Sequence, residues 1–237
     1  MADPDDLDEA LRRNDPDRWL ASRFIGDVQA RADVVALYAY DNELGRAPRV
    51  ASNPLLGEIR LTWWREALDE IFEGRRVRGH PVAQALAAAV QRAGLERAPL
   101  EAMIDARYAE LDRRPLDRAA ARSLAQGTAG EAAGVAARIL GARTPAGLLA
   151  ARDWAALWSV SLLILAGRVA AADAEEARTA ALRELGEART GERGLLPAPA
   201  FPAAAQAALA EAYLRGQRPS ELGKRLRITW AVARGRI

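Results

Sequence analysis

The sequence predicts an all-α protein, and three observations support this fold class. Alanine is abundant and β-branched residues are sparse among the 237 residues, a composition that favours helix. Nearly every segment carries apolar residues at helical spacing, separated by residues that start and stop helices. No stretch of four or more residues shows the alternation and β-branched content of a strand. We therefore expect one all-helical domain that covers residues 1–237.

The predicted helices follow one another with short connections. They span about residues 5–13, 16–24, 29–45, 54–72, 81–93, 99–112, 117–140, 145–171, 174–190, 203–214 and 219–234. Residues 191–202, GERGLLPAPAFP, form the only stretch rich in proline and glycine, and we expect a flexible loop there.

The most recognisable helix spans residues 53–73, NPLLGEIRLTWWREALDEIFE. Asn53 suits the N-cap, and Pro54 suits the first helical position, where a missing N–H costs nothing. Two adjoining apolar stripes run along it: Leu56, Ile59, Trp63 and Ala67, and Leu61, Trp64, Leu68 and Ile71. A helix that is apolar over most of its circumference has to be buried. We expect this helix to be central, with both tryptophans mostly buried.

Composition excludes several classes of function. The chain has no cysteine, which excludes disulfides and thiolate metal sites. His80 is the only histidine, which excludes a metal site built from several histidines. The net charge of +2 is too small to indicate nucleic-acid binding.

The sequence gives no sign of a targeting segment. Its first residues, MADPDDLDEALRRNDPDR, are acidic and polar, unlike a signal peptide. The most apolar run, residues 160–167, is too short to span a bilayer, which needs about 20 residues. We therefore expect a cytoplasmic protein.

Three stretches match one known family in order and spacing. They are residues 34–43 (VVALYAYDNE), 57–90 (GEIRLTWWREALDEIFEGRRVRGHPVAQALAAAV) and 124–141 (LAQGTAGEAAGVAARILG). Together they resemble the squalene/phytoene synthase family of trans-isoprenyl diphosphate synthases, the head-to-head type. The resemblance covers most of residues 15–141 and becomes faint afterwards. It implies an isoprenoid-synthase-type helical bundle.

An active member of that family joins two prenyl diphosphates. It uses Mg²⁺ ions, which two aspartate-rich helix motifs hold through carboxylate oxygens. Where the first motif should fall, this chain has Gly45, Arg46, Ala47, Pro48 and Arg49. The acids of the second motif would fall on Gly167, Ala170 and Ala171. Both motifs have lost their acids, so we expect no metal site and no cofactor.

The residues just before the first motif indicate a branch of the family. Residues 39–44 read AYDNEL, similar to the AFNxEL pattern of a degenerate branch that includes the mitochondrial assembly factor for respiratory complex I. The resemblance implies a non-catalytic protein that binds an isoprenoid or assists assembly of a membrane respiratory complex. The alternative is an active Mg²⁺-dependent transferase that condenses two prenyl diphosphates in carotenoid, hopanoid or squalene biosynthesis.

Under that alternative the catalytic candidates are Asp41, Glu43 and Glu58. Asp41 lies on the apolar stripe of its helix and is expected to point inward, where a carboxylate has to be paired or neutralised. It either pairs with an arginine such as Arg46 or Arg60 or marks a vestigial cation site. We expect Glu43 to form a salt bridge at the helix edge.

The candidates for lining a prenyl pocket are Tyr40, Trp63, Trp64, Gly130 and Gly134. The tryptophans are core residues, or one of them lines the pocket with its ring facing a cation. The glycines, on a stripe of small residues, either allow close helix packing or form a backbone wall for a long apolar ligand.

Other charged residues have two interpretations each. His80 precedes Pro81 and suits a capping or turn position. Arg107, Arg113 and Arg114 either bind a diphosphate or form a solvated face.

The C-terminal segment KRLRITWAVARGRI, residues 224–237, combines basic and apolar residues. Such a helix can lie on an anionic membrane surface, and the alternative is a terminal helix docked on the core. The first interpretation places the protein peripherally at the inner membrane or against a membrane complex.

Overall fold

The computed structural model describes residues 4–50, 53–190 and 196–237. Within these ranges the chain is helical, and the only β pairing is an isolated bridge between Leu116 and Val169. The all-α prediction is therefore confirmed. The chain divides into two compact units, Met1–Arg113 and Arg114–Ile237, which we call unit 1 and unit 2.

Unit 1 contains six α-helices within its described residues, followed by a short 3₁₀ turn. They are α1 (Pro4–Asn14), α2 (Pro16–Ser22), α3 (Val28–Val50), α4 (Pro54–Phe72), α5 (Pro81–Ala93), α6 (Arg97–Arg107) and the 3₁₀ turn Tyr108–Glu110. The predicted bounds of α4 and α5 agree with the structure. The predicted α3 ended at Gly45, but the helix continues to Val50 through Pro48.

In unit 1 the central helix is α3, and the other helices surround it. It packs against α1, α2, α4, α5 and α6. Seven consecutive residues, from Val34 to Tyr40, are buried, because this part of α3 meets neighbouring helices on every side. The sequence predicted α4 as the central helix, and within unit 1 that prediction is wrong.

Only one of the two apolar stripes of α4 is buried. The helix begins as predicted, since the Asn53 side chain accepts a hydrogen bond from the Leu56 N–H at 3.0 Å. The buried stripe contains Leu61, Trp64, Leu68 and Ile71, and Ala67 of the other stripe is buried beside it. On the other stripe Leu56 and Ile59 are 41% and 55% exposed, and Trp63 is half-buried. The helices that α4 contacts in unit 1 cover one side of it, so the predicted burial of Trp63 is corrected.

Unit 2 is also built around one long helix. Its α-helices are α7 (Arg118–Ala125), α8 (Glu131–Ile139), α9 (Pro145–Leu165), α10 (Ala171–Thr190), α11 (Ala210–Leu214) and α12 (Glu221–Arg234). A π-turn, Gln126–Gly130, joins α7 to α8, and 3₁₀ turns span Ala198–Ala203 and Ala205–Leu209. The central helix is α9, which packs against α7, the π-turn, α8, α10 and α11.

Among the described residues, α9 is the one helix long and apolar enough to cross a bilayer. Its 21 residues correct the expectation that the apolar run is short. Buried residues make up 56% of its most apolar part, as in the core helix of a helical unit. The helix ends at Leu165, earlier than predicted, and Gly167 follows in the left-handed region at φ +66°.

Part of the expected loop at residues 191–202 is ordered. Residues 191–195 lie outside the described residues. From Leu196 onward the chain is packed, and Ala200, Phe201 and Pro202 are buried in the 3₁₀ turn. The expectation of a flexible loop is therefore corrected for this second half.

Candidate functional site

Asp41, on α3, is the most buried of the candidate catalytic acids. Its side chain points inward as predicted, and the residue is 2% exposed. Arg18 Nη1 lies 2.8 Å from its Oδ2, and Arg107 Nη2 donates to its Oδ1 at 2.7 Å. The predicted partners, Arg46 and Arg60, were wrong. Both of those residues are exposed, whereas α2 and α6 carry arginines into the interior.

The two arginines extend the contact into a larger buried cluster. Arg18 also pairs with Asp15, and Arg107 Nη1 donates to Glu110 Oε2 at 2.7 Å. We call these five residues the acid–arginine cluster; it sets three carboxylates against two guanidinium groups. Asp15 also caps α2, accepting a hydrogen bond from the Arg18 N–H at 3.1 Å. The Asp-Pro-Asp-Arg sequence thus fixes both the helix start and the first ion pair.

The surroundings shift the carboxyl pKa values of Asp41 and Asp15 in opposite directions. Burial would raise the pKa of Asp41, but the charges and hydrogen bonds of Arg107 and Arg18 outweigh it, and its pKa is lowered. Burial dominates at Asp15, whose pKa is raised despite Arg18. Two guanidinium groups therefore favour the charged form of Asp41.

The guanidinium group of Arg107 lies where the first aspartate motif should begin. A Cβ added to Gly45, one turn after Asp41, would be 3.3 Å from the Arg107 guanidinium carbon. A side chain at residue 45 would require that group to shift by a few tenths of an ångström. The structure therefore places a cationic side chain against α3 where the resemblance implies metal-binding acids.

The residues at both expected metal motifs do not fit Mg²⁺. Among the described residues there is no group of three acidic, histidine or cysteine side chains that could hold a metal ion. Hard cations require several oxygen ligands, and the Asp41 oxygens are taken by arginines. At the second motif, Gly167 and Ala170 follow the end of α9 and supply no side-chain oxygen.

The other two catalytic candidates do not join Asp41. Glu43 is half-buried and accepts a hydrogen bond from Arg46 at 2.7 Å, the helix-edge salt bridge that the sequence predicted. Glu58 is exposed on α4. The structure thus brings Asp41 together with Arg18 and Arg107, and neither Glu43 nor Glu58 joins them.

Aromatic rings from α3, α4 and the start of α5 form a second feature. Trp63 and Trp64 pack edge to face at 4.9 Å, and His80 packs against them at 5.3 and 5.2 Å. Tyr40 is fully buried, 5.3 Å from Trp64, and its hydroxyl donates to a backbone carbonyl of α6 at 2.9 Å. The Arg78 guanidinium lies 4.5 Å from the Trp63 ring centre.

These rings border an open cleft of about 250 Å³. It is lined by Glu43, Arg46, Ala47, Ile59, Arg60, Trp63, Trp64 and His80. His80 occupies the N-cap position of α5 as predicted, but its side chain makes no capping hydrogen bond, and its Nδ1 atom is buried without a hydrogen-bond partner. The cleft therefore offers apolar walls with two arginines, and Tyr40, which is fully buried, does not line it.

Gly130 and Gly134, the other ligand candidates, lie against α9 in unit 2. A Cβ added at Gly134 would be 2.6 Å from Arg152 Nε, and one at Gly130 would be 3.2 Å from the Arg152 carbonyl oxygen. The Arg152 guanidinium also pairs with Glu131 at 2.9 Å. The space that these glycines leave is therefore filled by α9, as close helix packing requires. A role as a ligand wall stays a prediction.

Sequence reasoning missed most of the acid–arginine cluster. Arg107 was expected on a solvated face or at a diphosphate, but its side chain is 14% exposed and pairs with two acids. Arg113 is also engaged, donating to the Pro48 carbonyl oxygen at 3.2 Å. The available signal was Asp15 followed by Pro16, a helix start that places Arg18 three residues after its cap.

Comparison with known proteins identifies the family. The profile of the family described as squalene/phytoene synthase matches residues 11–160. The chain belongs to the squalene/phytoene synthase family. The matched range contains residues 15–141, where the resemblance is strongest. Family membership agrees with the helical fold.

Curated relatives are similar over a shorter range. NADH dehydrogenase (ubiquinone) complex I, assembly factor 6, from Bos taurus is 31% identical over 104 residues. The human and Rattus norvegicus proteins of the same name are 30% and 31% identical over 104 residues. The match covers 44% of this chain and 31% of each relative, so the chain spans about a third of their length.

A solved structure confirms the predicted fold. A dehydrosqualene synthase in complex with a ligand matches with a TM-score of 0.79, covering 97% of this chain and 95% of that one. The sequence identity is 14%, so this match establishes the fold alone. The prediction of an isoprenoid-synthase-type helical fold is confirmed.

Replacing Asp41 with asparagine should strongly destabilise the protein. Asp41→Asn keeps the shape but leaves two buried guanidinium groups without their shared counter-charge, which should lower the free energy of unfolding by about 3–5 kcal/mol. Urea unfolding followed by circular dichroism measures the change. The control is Glu175→Gln, whose 78%-exposed side chain pairs with Arg178 and should contribute less than about 1 kcal/mol. Equal effects of the two substitutions would contradict the assignment.

His80 should titrate below its ordinary pKa of 6.5, because burial beside the tryptophans disfavours its charged form more than Glu43 favours it. Between the lowered pKa and 6.5 the unfolded chain binds a proton that the folded chain does not. Stability should therefore fall as the pH drops below about 6.5. Proton NMR of the only imidazole in the chain measures this pKa, and His80→Gln should remove this part of the pH dependence. An imidazole pKa at or above 6.5 would contradict the burial argument.

Proposed function

We propose that this chain is a non-catalytic member of the squalene/phytoene synthase family that assists assembly of a membrane respiratory complex. The observation that carries the proposal is the Arg107 guanidinium beside Gly45, where the family's first aspartate motif should begin. A protein that ionises diphosphates places divalent cations at that site. This chain places a fixed side-chain cation there, balanced by its own carboxylates.

The acid–arginine cluster also explains why residual catalysis is not expected. A metal ion at Asp41 would have to displace Arg107 or Arg18, and the displaced guanidinium group would keep only one of its two carboxylate partners. Breaking a buried pair in this way is strongly unfavourable. Neither motif supplies further acids to compensate. The remaining function is therefore one that uses the fold as a binding surface.

The similarity to complex I assembly factor 6 supports the assembly role. That protein is named for assembly of NADH dehydrogenase complex I, and it matches this chain over 104 residues. The AYDNEL segment at residues 39–44 contains Asp41, so this segment contributes to the cluster that replaces the metal site. We infer that an arginine-neutralised site suits a family member whose task is binding rather than chemistry.

Isoprenoid binding is a second candidate function, and one observation favours it. The cleft of about 250 Å³ beside Trp63 has apolar walls and two arginines, Arg46 and Arg60. These are the features that an apolar chain with an anionic end would need. The cleft holds only a short part of such a chain, so we rank this function below the assembly role.

Purified protein should form no squalene, dehydrosqualene or phytoene from farnesyl or geranylgeranyl diphosphate with Mg²⁺. The reason is that Arg107 occupies the place of the metal-binding acids. Lipid extraction and chromatography measure the products, with a dehydrosqualene synthase assayed in parallel as the positive control. Robust product formation would overturn the non-catalytic proposal and establish the prenyl transferase alternative.

Cells that carry both this chain and complex I should assemble less of the complex when the gene is deleted. Native gels of the membranes and their NADH dehydrogenase activity measure the loss. Wild-type protein and Glu58→Gln, which alters an exposed candidate acid, should both restore assembly. Normal complex I levels in the deletion strain would contradict the assembly role without bearing on the absence of catalysis.

A further inference from the structure

The outward face of α12 carries a row of large apolar side chains. Leu222, Leu226 and Trp230 are spaced four residues apart and are 67%, 62% and 60% exposed. At 100° per residue they fall within an arc of about 80°. Ile228 and Ala231 are buried on the opposite side. The helix is thus apolar on two faces, and only one of them is covered by the described part of unit 2.

The orientation of α12 is fixed by its ends and by its packing. The Ser220 side chain accepts a hydrogen bond from the Gly223 N–H at 3.2 Å, and Gly235 ends the helix at φ +62°. The buried side packs against the 3₁₀ turns Ala198–Ala203 and Ala205–Leu209. The apolar row therefore faces outward because the helix is docked on its other side.

Basic side chains flank this row on both sides. Arg225 lies on one flank, and Arg227 and Arg234 lie on the other, by helical spacing. None of the three forms an ion pair with a described residue, and the Arg234 guanidinium lies 3.8 Å from the Trp230 ring centre. The row and its three arginines form what we call the α12 face. Glu221 is the one acidic residue of α12, and it pairs with Lys224 at 3.6 Å.

We propose that the α12 face binds the surface of an anionic lipid bilayer, with the helix axis parallel to the membrane plane. The apolar row enters the boundary between headgroups and acyl chains, where tryptophan is favoured. The arginines extend sideways to the lipid phosphates while their alkyl stems stay near the apolar layer. This inference goes beyond the assembly role and does not depend on it.

Charge argues for a bilayer over a second copy of this chain. A two-fold contact through the α12 face would bring its three arginines close to the same three arginines of the other copy. Like charges at an interface oppose association, whereas anionic phosphates complement them. A planar anionic surface also fits the shape of the α12 face, which is one helix wide and has arginines along both edges.

The test uses the 237-residue chain and two kinds of vesicle. One is pure phosphatidylcholine, and the other also contains about 30 mol% phosphatidylglycerol as the anionic lipid. Co-sedimentation at low salt should show binding to the anionic vesicles only. Each arginine near such a surface contributes a factor of roughly five, so the three together supply about 100-fold. Raising the salt to about 1 M should release most of the protein, because it screens these charges.

Two variants separate the α12 face from general surface charge. Leu226→Glu combined with Trp230→Glu should weaken vesicle binding by more than about tenfold, because two embedded side chains become charged. The matched control is Leu149→Glu, which changes a leucine that is 57% exposed on α9 and should bind like the wild type. Circular dichroism should show unchanged melting for both, since all three positions are exposed.

Three outcomes would overturn the proposal. They are equal binding to neutral vesicles, equal binding by the Leu226/Trp230 variant, and no vesicle binding by the wild type. In the last case, sedimentation velocity measures the oligomeric state. A wild-type dimer that becomes a monomer in the Leu226/Trp230 variant would show that the α12 face binds a second copy. Because vesicle binding is measured without complex I, its failure leaves the assembly proposal unaffected.

Discussion

The negative charge of Asp41 inside unit 1 is the constraint on which the candidate site depends. A carboxylate that is 2% exposed remains charged only when cations surround it, and here Arg18 and Arg107 supply them. These three residues come from α3, α2 and α6, so one ion cluster joins three helices. The helix positions and the charge of the site are consequently fixed together.

The same cluster connects the fold to the proposed loss of chemistry. The squalene/phytoene synthase fold is kept over nearly the whole chain, as the match to a dehydrosqualene synthase demonstrates. Beside α3, Gly45 leaves room for the Arg107 guanidinium, at the position where the family resemblance implies metal-binding acids. The helical framework is therefore kept with an arginine side chain packed against this part of α3.

Predictions from sequence were reliable where the signal is local. Asn53 and Pro54 set the start of α4, and Thr144, followed by Pro145, sets the start of α9, because caps depend on neighbouring residues alone. The salt bridge between Glu43 and Arg46 is also local, three residues apart on one helix. The partners of Asp41 were predicted wrongly because they are distant in sequence. Spacing suggested nearby arginines, but Arg107 is 66 residues away.

The sequence by itself determined the fold class, most helix starts and the absence of acids from both metal motifs, since composition, caps and motifs are properties of short segments. Tertiary structure decided which apolar surfaces are covered. Leu56 and Ile59 have the spacing of a buried stripe yet are exposed, and so is the row on α12 that contains Trp230. A hydrophobic pattern predicts that a helix face will be covered, but only the packing of the folded chain shows whether another part of the chain covers it.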